Sequence, residues 1–370
     1  MTPRDPREAH RASTPLELLF DLCFAVAVAQ ASSRLHHGLA EGICGHAVLA
    51  YALVFFAIWW AWMNFTWFAS AYDADDVPYR LAVLVQIAGV LVIAAGIPRA
   101  FDRRDFAVVT LGYAIMRVGL VSLWLRAAHA DGARRRTALR YAAGVTLCQL
   151  GWIGLLLLPP GQWLRGWMLL APAELLVPLW AERVDPTPWH PHHIAERYGL
   201  LTLIVLGESV LSATVAIQSA LDAGHLSGEL AALVVGGLLV LFCLWWIYFD
   251  RPVHHLLVSN RVAFLWGYGH LVVFAATAAV GAGLGVAADA LTGHAGIPAL
   301  RAGLAVTLPV TLYVLAVWLL QVRPARRGVL VTAAFFLAPL LVLAASPSRD
   351  AVLISGIVLV GLVTLSEVAG

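Results

Sequence analysis

Polar residues punctuate the chain at long intervals, and the runs between them are apolar on every side rather than along one stripe. Runs of about 18 residues or more, bounded by Pro, Gly or charge, start near residues 15, 44, 78, 105, 137, 162, 193, 229, 262, 300, 328 and 350. A helix without a polar face belongs in a core or a bilayer, so the pattern predicts an all-α, polytopic membrane protein with about twelve transmembrane helices. The sixth run is the weakest, because Glu174 and two internal prolines, Pro172 and Pro178, interrupt it. Prolines persist there only where neighbours re-satisfy the freed backbone groups. The first run follows a polar tail, residues 1–14, and contains Glu17 and Asp21, so it reads as an uncleaved first span rather than a signal peptide.

The pattern also repeats. Trp59-Trp60 in the second run recurs as Trp245-Trp246 in the eighth, and Trp124, ahead of an arginine-rich connection, recurs as Trp318 ahead of Arg323, Arg326 and Arg327. The offsets of 186 and 194 residues are close, and setting Glu17 on Glu196 aligns the first and seventh runs. The organisation predicted is a cytoplasmic tail over 1–14, a first six-helix repeat over 15–185 and a second over 186–370. Six spans is an even number, so both repeats insert the same way up, related by an axis along the membrane normal.

Composition sharpens the reading. Of 370 residues, 61% are hydrophobic and 12% charged, against about 25% charged in a soluble domain, which argues against a soluble enzyme. All 24 basic residues are arginine and the net charge is only +2, with no basic stripe to suggest nucleic acid. With twelve spans, 16 arginines, Arg7 among them, fall in the N-terminal tail and the even-numbered connections and 7 on the other side. The positive-inside rule then places both termini in the cytoplasm and leaves Arg117 as the arginine deep in a span.

Ionisable side chains inside hydrocarbon cost about 2.5–3.5 kcal/mol on insertion scales and normally face a partner, so they are the informative residues. Glu17 and Asp21 stand one helical turn apart on one face, where two carboxylates repel unless one holds a proton or meets a cation. Glu196 opens the seventh span beside Arg197, and Glu208 lies about 18 Å further along, next to Gly207 and the hydroxyls of Ser209, Ser212 and Thr214. Arg117 needs an acid or backbone carbonyls, with Asp21, Glu174 and Glu208 as the candidates. Glu17, Asp21, Glu196, Glu208, Arg117 and Glu174 are therefore the candidate substrate- or ion-binding residues, either as an ion relay or as a structural clamp.

Other features read as structural. The aromatic series Trp59, Trp60, Trp62, Trp67 and Phe68 fits an interfacial belt. Asp73, Asp75 and Asp76 form a solvated turn able to cap the third span but lacking calcium-loop spacing. His192-His193 and His254-His255 read as hydrated imidazoles, and His270 as a hydrogen-bonded packing residue. Cys23, Cys44, Cys148 and Cys243 lack metal or disulfide spacing, and neither paired axial histidines nor a nucleotide, nucleophile-elbow or zincin motif occurs. No metal, no cofactor and no enzymatic activity are expected.

Three strings, TPLELLFDLCFAVAVAQASSRL from Thr14 to Leu35, IAERYGLLTLIVLGESVLS from Ile194 to Ser212 and WWIYFD from Trp245 to Asp250, resemble the bacterial low temperature requirement protein A family. The resemblance runs nearly end to end and rests on the ELxFD and ERxGLxxxxxLGES patterns, with Glu17, Phe20, Asp21, Glu196, Gly199, Gly207 and Glu208 at motif positions. Cys23 departs from it, standing where a larger aliphatic residue is usual. It implies a polytopic bacterial membrane protein linked by name to growth in the cold, and no particular reaction. Together these readings point to an ion-coupled secondary transporter or permease of the inner membrane, its partners being the lipid bilayer and a proton, cation or small solute. The alternative is a non-transport scaffold or cold-stress factor whose buried acids are structural.

Overall fold

The computed structural model describes residues 1–5, 8, 11–222, 227–325 and 328–369, so Arg7, Arg326 and Arg327 lie outside the described residues. Among the described residues it is all helix and no strand. In chain order the helices are α1 (Pro15–Ala40), α2 (Cys44–Ala71), α3 (Val77–Arg103), α4 (Ala107–Ala130), α5 (Arg135–Leu155) and α6 (Pro160–Ala181). There follow α7 (Pro191–Asp222), α8 (Gly228–Phe249), α9 (Asn260–Thr292), α10 (Ala299–Val317), α11 (Val329–Ala344) and α12 (Ala351–Ala369). A π-helical turn, Trp318–Val322, prolongs α10.

Local chemistry sets the helix starts. Thr14 and Glu17 form a reciprocal capping box at α1, the Thr14 N–H donating to Glu17 Oε2 at 2.8 Å and the Glu17 N–H to Thr14 Oγ1 at 3.3 Å, with Pro15 in the first turn. Asp76 caps α3 by accepting from the Tyr79 N–H, and Ser227 and Ser259 do the same for α8 and α9. The acidic turn thus supplies a cap as anticipated, with Asp75 paired to Arg80 and Asp76 to Arg126, but it is not solvated throughout: the Asp73 side chain is buried against the arginines of the tail.

Nine helices among the described residues are long and apolar enough to cross a membrane, and α5, α6 and α11 are not among them. Arginines occupy the first turns of α5, Glu174 and two prolines dilute α6, and α11 has only 16 residues. Large apolar side chains such as Leu22, Leu81, Val118, Leu169 and Leu265 stand more than half exposed along the helices. Surfaces so greasy in water would drive aggregation; a lipid environment covers them. The chain is a multi-pass membrane protein.

It divides into two compact units, one of Met1–Ala27 with Ala57–Arg197 and one of Val28–Phe56 with Tyr198–Gly370, the parting running through α1, α2 and α7. In the first unit α3, α4, α5 and α6 each pack on the next. The α3–α4 seam closes on small residues: a Cβ on Gly89 would come within 2.6 Å of the Gly112 carbonyl oxygen, and one on Gly112 within 2.6 Å of that of Gly89. In the second unit α10 packs on α8, α9, α11 and α12, and α8 on α12. Here Gly283 of α9 meets the Ala305 carbonyl of α10, leaving no room for a Cβ. Without a hydrophobic force between helices in lipid, such backbone approach is what packing rests on.

Gly112→Val is therefore expected to lower thermal stability in detergent by the equivalent of about 1–3 kcal/mol, as overpacking does. Gly154→Ala, inside α5 where nothing stands within 4 Å of the added carbon, is expected to hold or slightly raise the melting temperature.

Candidate functional site

The first unit encloses four ionisable side chains in one cluster. Glu17 and Asp21 come from α1, and His193 and Arg197, again one turn apart, from the start of α7. All four are at most 1% exposed. Arg197 grips Asp21 with a fork, Nε to Oδ2 at 3.0 Å and Nη2 to Oδ1 at 2.6 Å, and donates from Nη1 to Glu17 Oε1 at 2.8 Å. This bidentate geometry suits a planar guanidinium and no other cation. The Trp62 indole on α2 donates to Asp21 Oδ1 at 2.6 Å. His193 Nε2 stands 3.1 Å from Glu17 Oε1, an electrostatic contact off the line of a hydrogen bond, and its Nδ1 has no hydrogen-bond partner among the described residues. With both carboxylates ionised and His193 neutral, the four side chains carry two negative charges against one positive, and the buried Arg11 of the tail is a further cation that interacts with Glu17.

The N-terminal tail covers the ends of the same helices. Arg11, 4% exposed, donates to the Ala69 and Ser70 carbonyls, the last turn of α2, which neutralises that helix end. The Ser13 N–H donates to Glu196 Oε1 at 3.1 Å, and His190 Nε2 lies 2.8 Å from the Glu8 carbonyl oxygen. Asp73 faces Arg4 and Arg11 at 3.5 and 3.6 Å. Burial pushes its carboxyl up, and the Glu17 charge adds to this, while the two arginines oppose it.

A second buried pair joins other helices of this unit. Arg117 Nη2 on α4 donates to Glu174 Oε2 on α6 at 2.9 Å, and the guanidinium lies 4.7 Å from the centroid of the Tyr113 ring. The Trp60 indole on α2 and the Trp152 indole on α5 donate to Glu174 at 2.6 and 3.0 Å. One cation meets one anion, so this site is balanced.

The profile of the Bacterial low temperature requirement A protein (LtrA) family matches residues 12–366. The chain belongs to that family. An uncharacterized protein of Rhizobium meliloti (strain 1021) is 28% identical over 280 residues, 71% of this chain and 66%, just under two thirds, of its own length. The LtrA match takes in both buried clusters.

Of the six residues singled out from the sequence of this LtrA protein, the structure joins Glu17 with Asp21 and Arg117 with Glu174. Glu196 sits apart from Arg197 on the same turn, half-buried beneath the tail. Glu208, in the second unit, is half-buried and, among the described residues, accepts from Ser212 Oγ at 3.4 Å. Three members were missed: Arg197, counted with connection arginines, His193, read as hydrated, and Trp62, read as interfacial. Trp59, Trp60 and Trp62 are core residues at most 2% exposed rather than a belt. The clue lay in spacing, since His193 and Arg197 repeat on α7 the one-turn interval of Glu17 and Asp21 on α1. His270 accords with its packing role, between the Trp266 carbonyl at 2.7 Å and the Tyr248 hydroxyl at 3.0 Å. Among the described residues no group of three His, Cys, Asp or Glu is arranged to hold a metal.

Removing one partner of a buried pair strands the other and costs about 3–5 kcal/mol, whereas replacing both is far milder. Arg117→Met is thus expected to lower thermal stability sharply, and Arg117→Met combined with Glu174→Met to recover part of the loss, read by unfolding in detergent.

Proposed function

We propose that this LtrA protein is a proton-coupled secondary transporter of the bacterial inner membrane, with both termini in the cytoplasm, in which Glu17 and His193 hold the coupling proton. The charge imbalance of the buried cluster carries this reading. Two carboxylates and one guanidinium enclosed by apolar helices leave one negative charge, and an uncompensated charge in such surroundings is unstable. A proton on His193, 3.1 Å from Glu17, or on Glu17 itself, completes the balance. Loading and release of that proton change the net charge of the cluster, which gives the coupling ion a differential affinity for two conformations. Asp21, held at both oxygens by Arg197 and Trp62, positions the guanidinium. The Arg117–Glu174 pair, already neutral, is structural. In this reading the chain moves a solute and makes no covalent change to it.

The proposed six-helix repeat has support from equivalent bonds within each unit. Trp60 of α2 donates to Glu174 of α6, and Trp246 of α8 to Glu367 of α12, at 2.6 and 2.8 Å. Gly89 and Gly283, 194 residues apart, each press against the carbonyl of the following helix. Parallel repeats of this kind are a common plan for carriers, which is analogy rather than proof of transport.

A second reading, a structural membrane factor, draws on the fact that every carboxylate oxygen of Glu17 and Asp21 already accepts a hydrogen bond. Proteoliposomes with an entrapped pH dye under an imposed membrane potential separate the two. Transport predicts wild-type proton uptake above that of protein-free vesicles, abolished by Glu17→Gln and by His193→Gln in variants that still fold. Uptake no faster than in protein-free vesicles, with Glu17→Gln lowering only the melting temperature, would leave the structural reading standing.

A further inference from the structure

The second unit contains a cleft of about 840 Å³, within the range of about 300–1,000 Å³ of small-molecule sites. Its walls are almost wholly apolar: Tyr51 and Phe55 of α2, Val272 of α9, and Leu304, Leu308 and Leu312 of α10. Leu308 and Leu312 are also 48% and 44% exposed, so the cleft opens on the greasy outer surface of the unit rather than into its core. From Arg301 to Leu312 it follows α10 for about 16 Å at 1.5 Å per residue. That is about half of a hydrocarbon core of roughly 30 Å, or the depth of one leaflet.

Polarity is confined to one end. Arg301, in the first turn of α10, lines the mouth with its Nη1 3.9 Å from where a Cβ would sit on Gly42, in the turn between α1 and α2. Gly42 has φ +80°, which lets the chain reverse there without a side chain filling the mouth. Arg301 is exposed and has no ion-pair partner among the described residues. Gly45 and His46, in the first turn of α2, line the same end, where the N–H groups of that helix lack intrahelical acceptors and its dipole is positive. An unpaired guanidinium and a helix N-terminus above a leaflet-deep apolar trough are complementary to a molecule with an anionic head and a hydrocarbon tail.

We propose that this cleft is a binding site for one anionic phospholipid, its phosphate held by Arg301 and the first turn of α2, and an acyl chain lying along Tyr51, Phe55 and Leu312. The site is separate from the proton cluster and does not depend on the transport reading. Ala52 lines the cleft from its exposed side, so a bulky residue there blocks the trough without disturbing the core.

The test is native mass spectrometry and thermal unfolding of the full chain in detergent, titrated with phosphatidylglycerol or phosphatidylcholine of identical acyl chains, and with inorganic phosphate. Wild type is expected to bind phosphatidylglycerol roughly five- to tenfold more tightly than phosphatidylcholine, the effect of one arginine near a lipid phosphate. Arg301→Gln is expected to abolish that preference and Arg301→Lys to keep most of it, while Ala52→Trp weakens both lipids. Equal binding of the two lipids by wild type, an undiminished preference in Arg301→Gln, or equal stabilisation by inorganic phosphate would overturn the assignment. So would a lipid-free dimer in the mass spectrum that Ala52→Trp dissociates, since a second copy would then fill the cleft.

Discussion

A guanidinium that cannot lose its proton, placed where water does not reach, dictates everything around it. Arg197 is fully buried, and a charge in that position is tolerable only with anions at hydrogen-bond distance and in the plane of its fork. Glu17 and Asp21 meet that demand because α1 presents them one turn apart, and α7 answers with His193 and Arg197 at the same interval. Glu17 bears a double duty, closing the first turn of α1 through Thr14 while balancing Arg197. The start of α1 and the start of α7 are therefore fixed by the same atoms that carry the charge.

Helix α2 links this cluster to the Arg117–Glu174 pair. Trp60 and Trp62 are two positions apart, about 200° around a helix, so their indoles leave nearly opposite sides, one to Glu174 and one to Asp21. A buried indole N–H needs an acceptor, and a buried carboxylate needs donors beyond its cation. Each satisfies the other here. The tryptophans therefore combine large apolar area with a single directed donor, a combination that phenylalanine at these positions lacks.

The helical architecture was legible because it is written in run length: no soluble core tolerates this many residues that are apolar on all sides. The buried acids were legible too, since Glu17, Asp21 and Glu174 are anomalies in such runs. What escaped was partnership. Arg197 and His193 lie at the edge of the seventh run, where hydropathy cannot tell a charge facing water from one facing an acid 176 or 180 residues away. The second residue of the Trp59-Trp60 pair looked like an interfacial anchor for the same reason, because amphipathic aromatics serve equally at a headgroup and against a buried carboxylate. Glu208 shows the converse, its position deep in an apolar run being answered, among the described residues, by Ser212 in its own helix.

The equivalent tryptophan–glutamate bonds of the two units suggest how the charge came to be unevenly spread under the proposed repeat. The bond from Trp60 to Glu174 is buried and supplemented by Arg117 and Trp152, whereas that from Trp246 to Glu367 is exposed, with Trp246 47% open. At the offset of 194 residues that relates Gly89 to Gly283, the position matching Arg117 is Thr311, whose hydroxyl donates to the Pro339 carbonyl and carries no charge. An exposed indole–carboxylate bond holds two helix ends together without a buried cation. Once the same bond is enclosed, the carboxylate requires one, and a position on the neighbouring helix must become arginine. Under the proposed repeat, what separates the two tryptophan–glutamate bonds is therefore enclosure, and the arginine of the first unit is the structural answer to it.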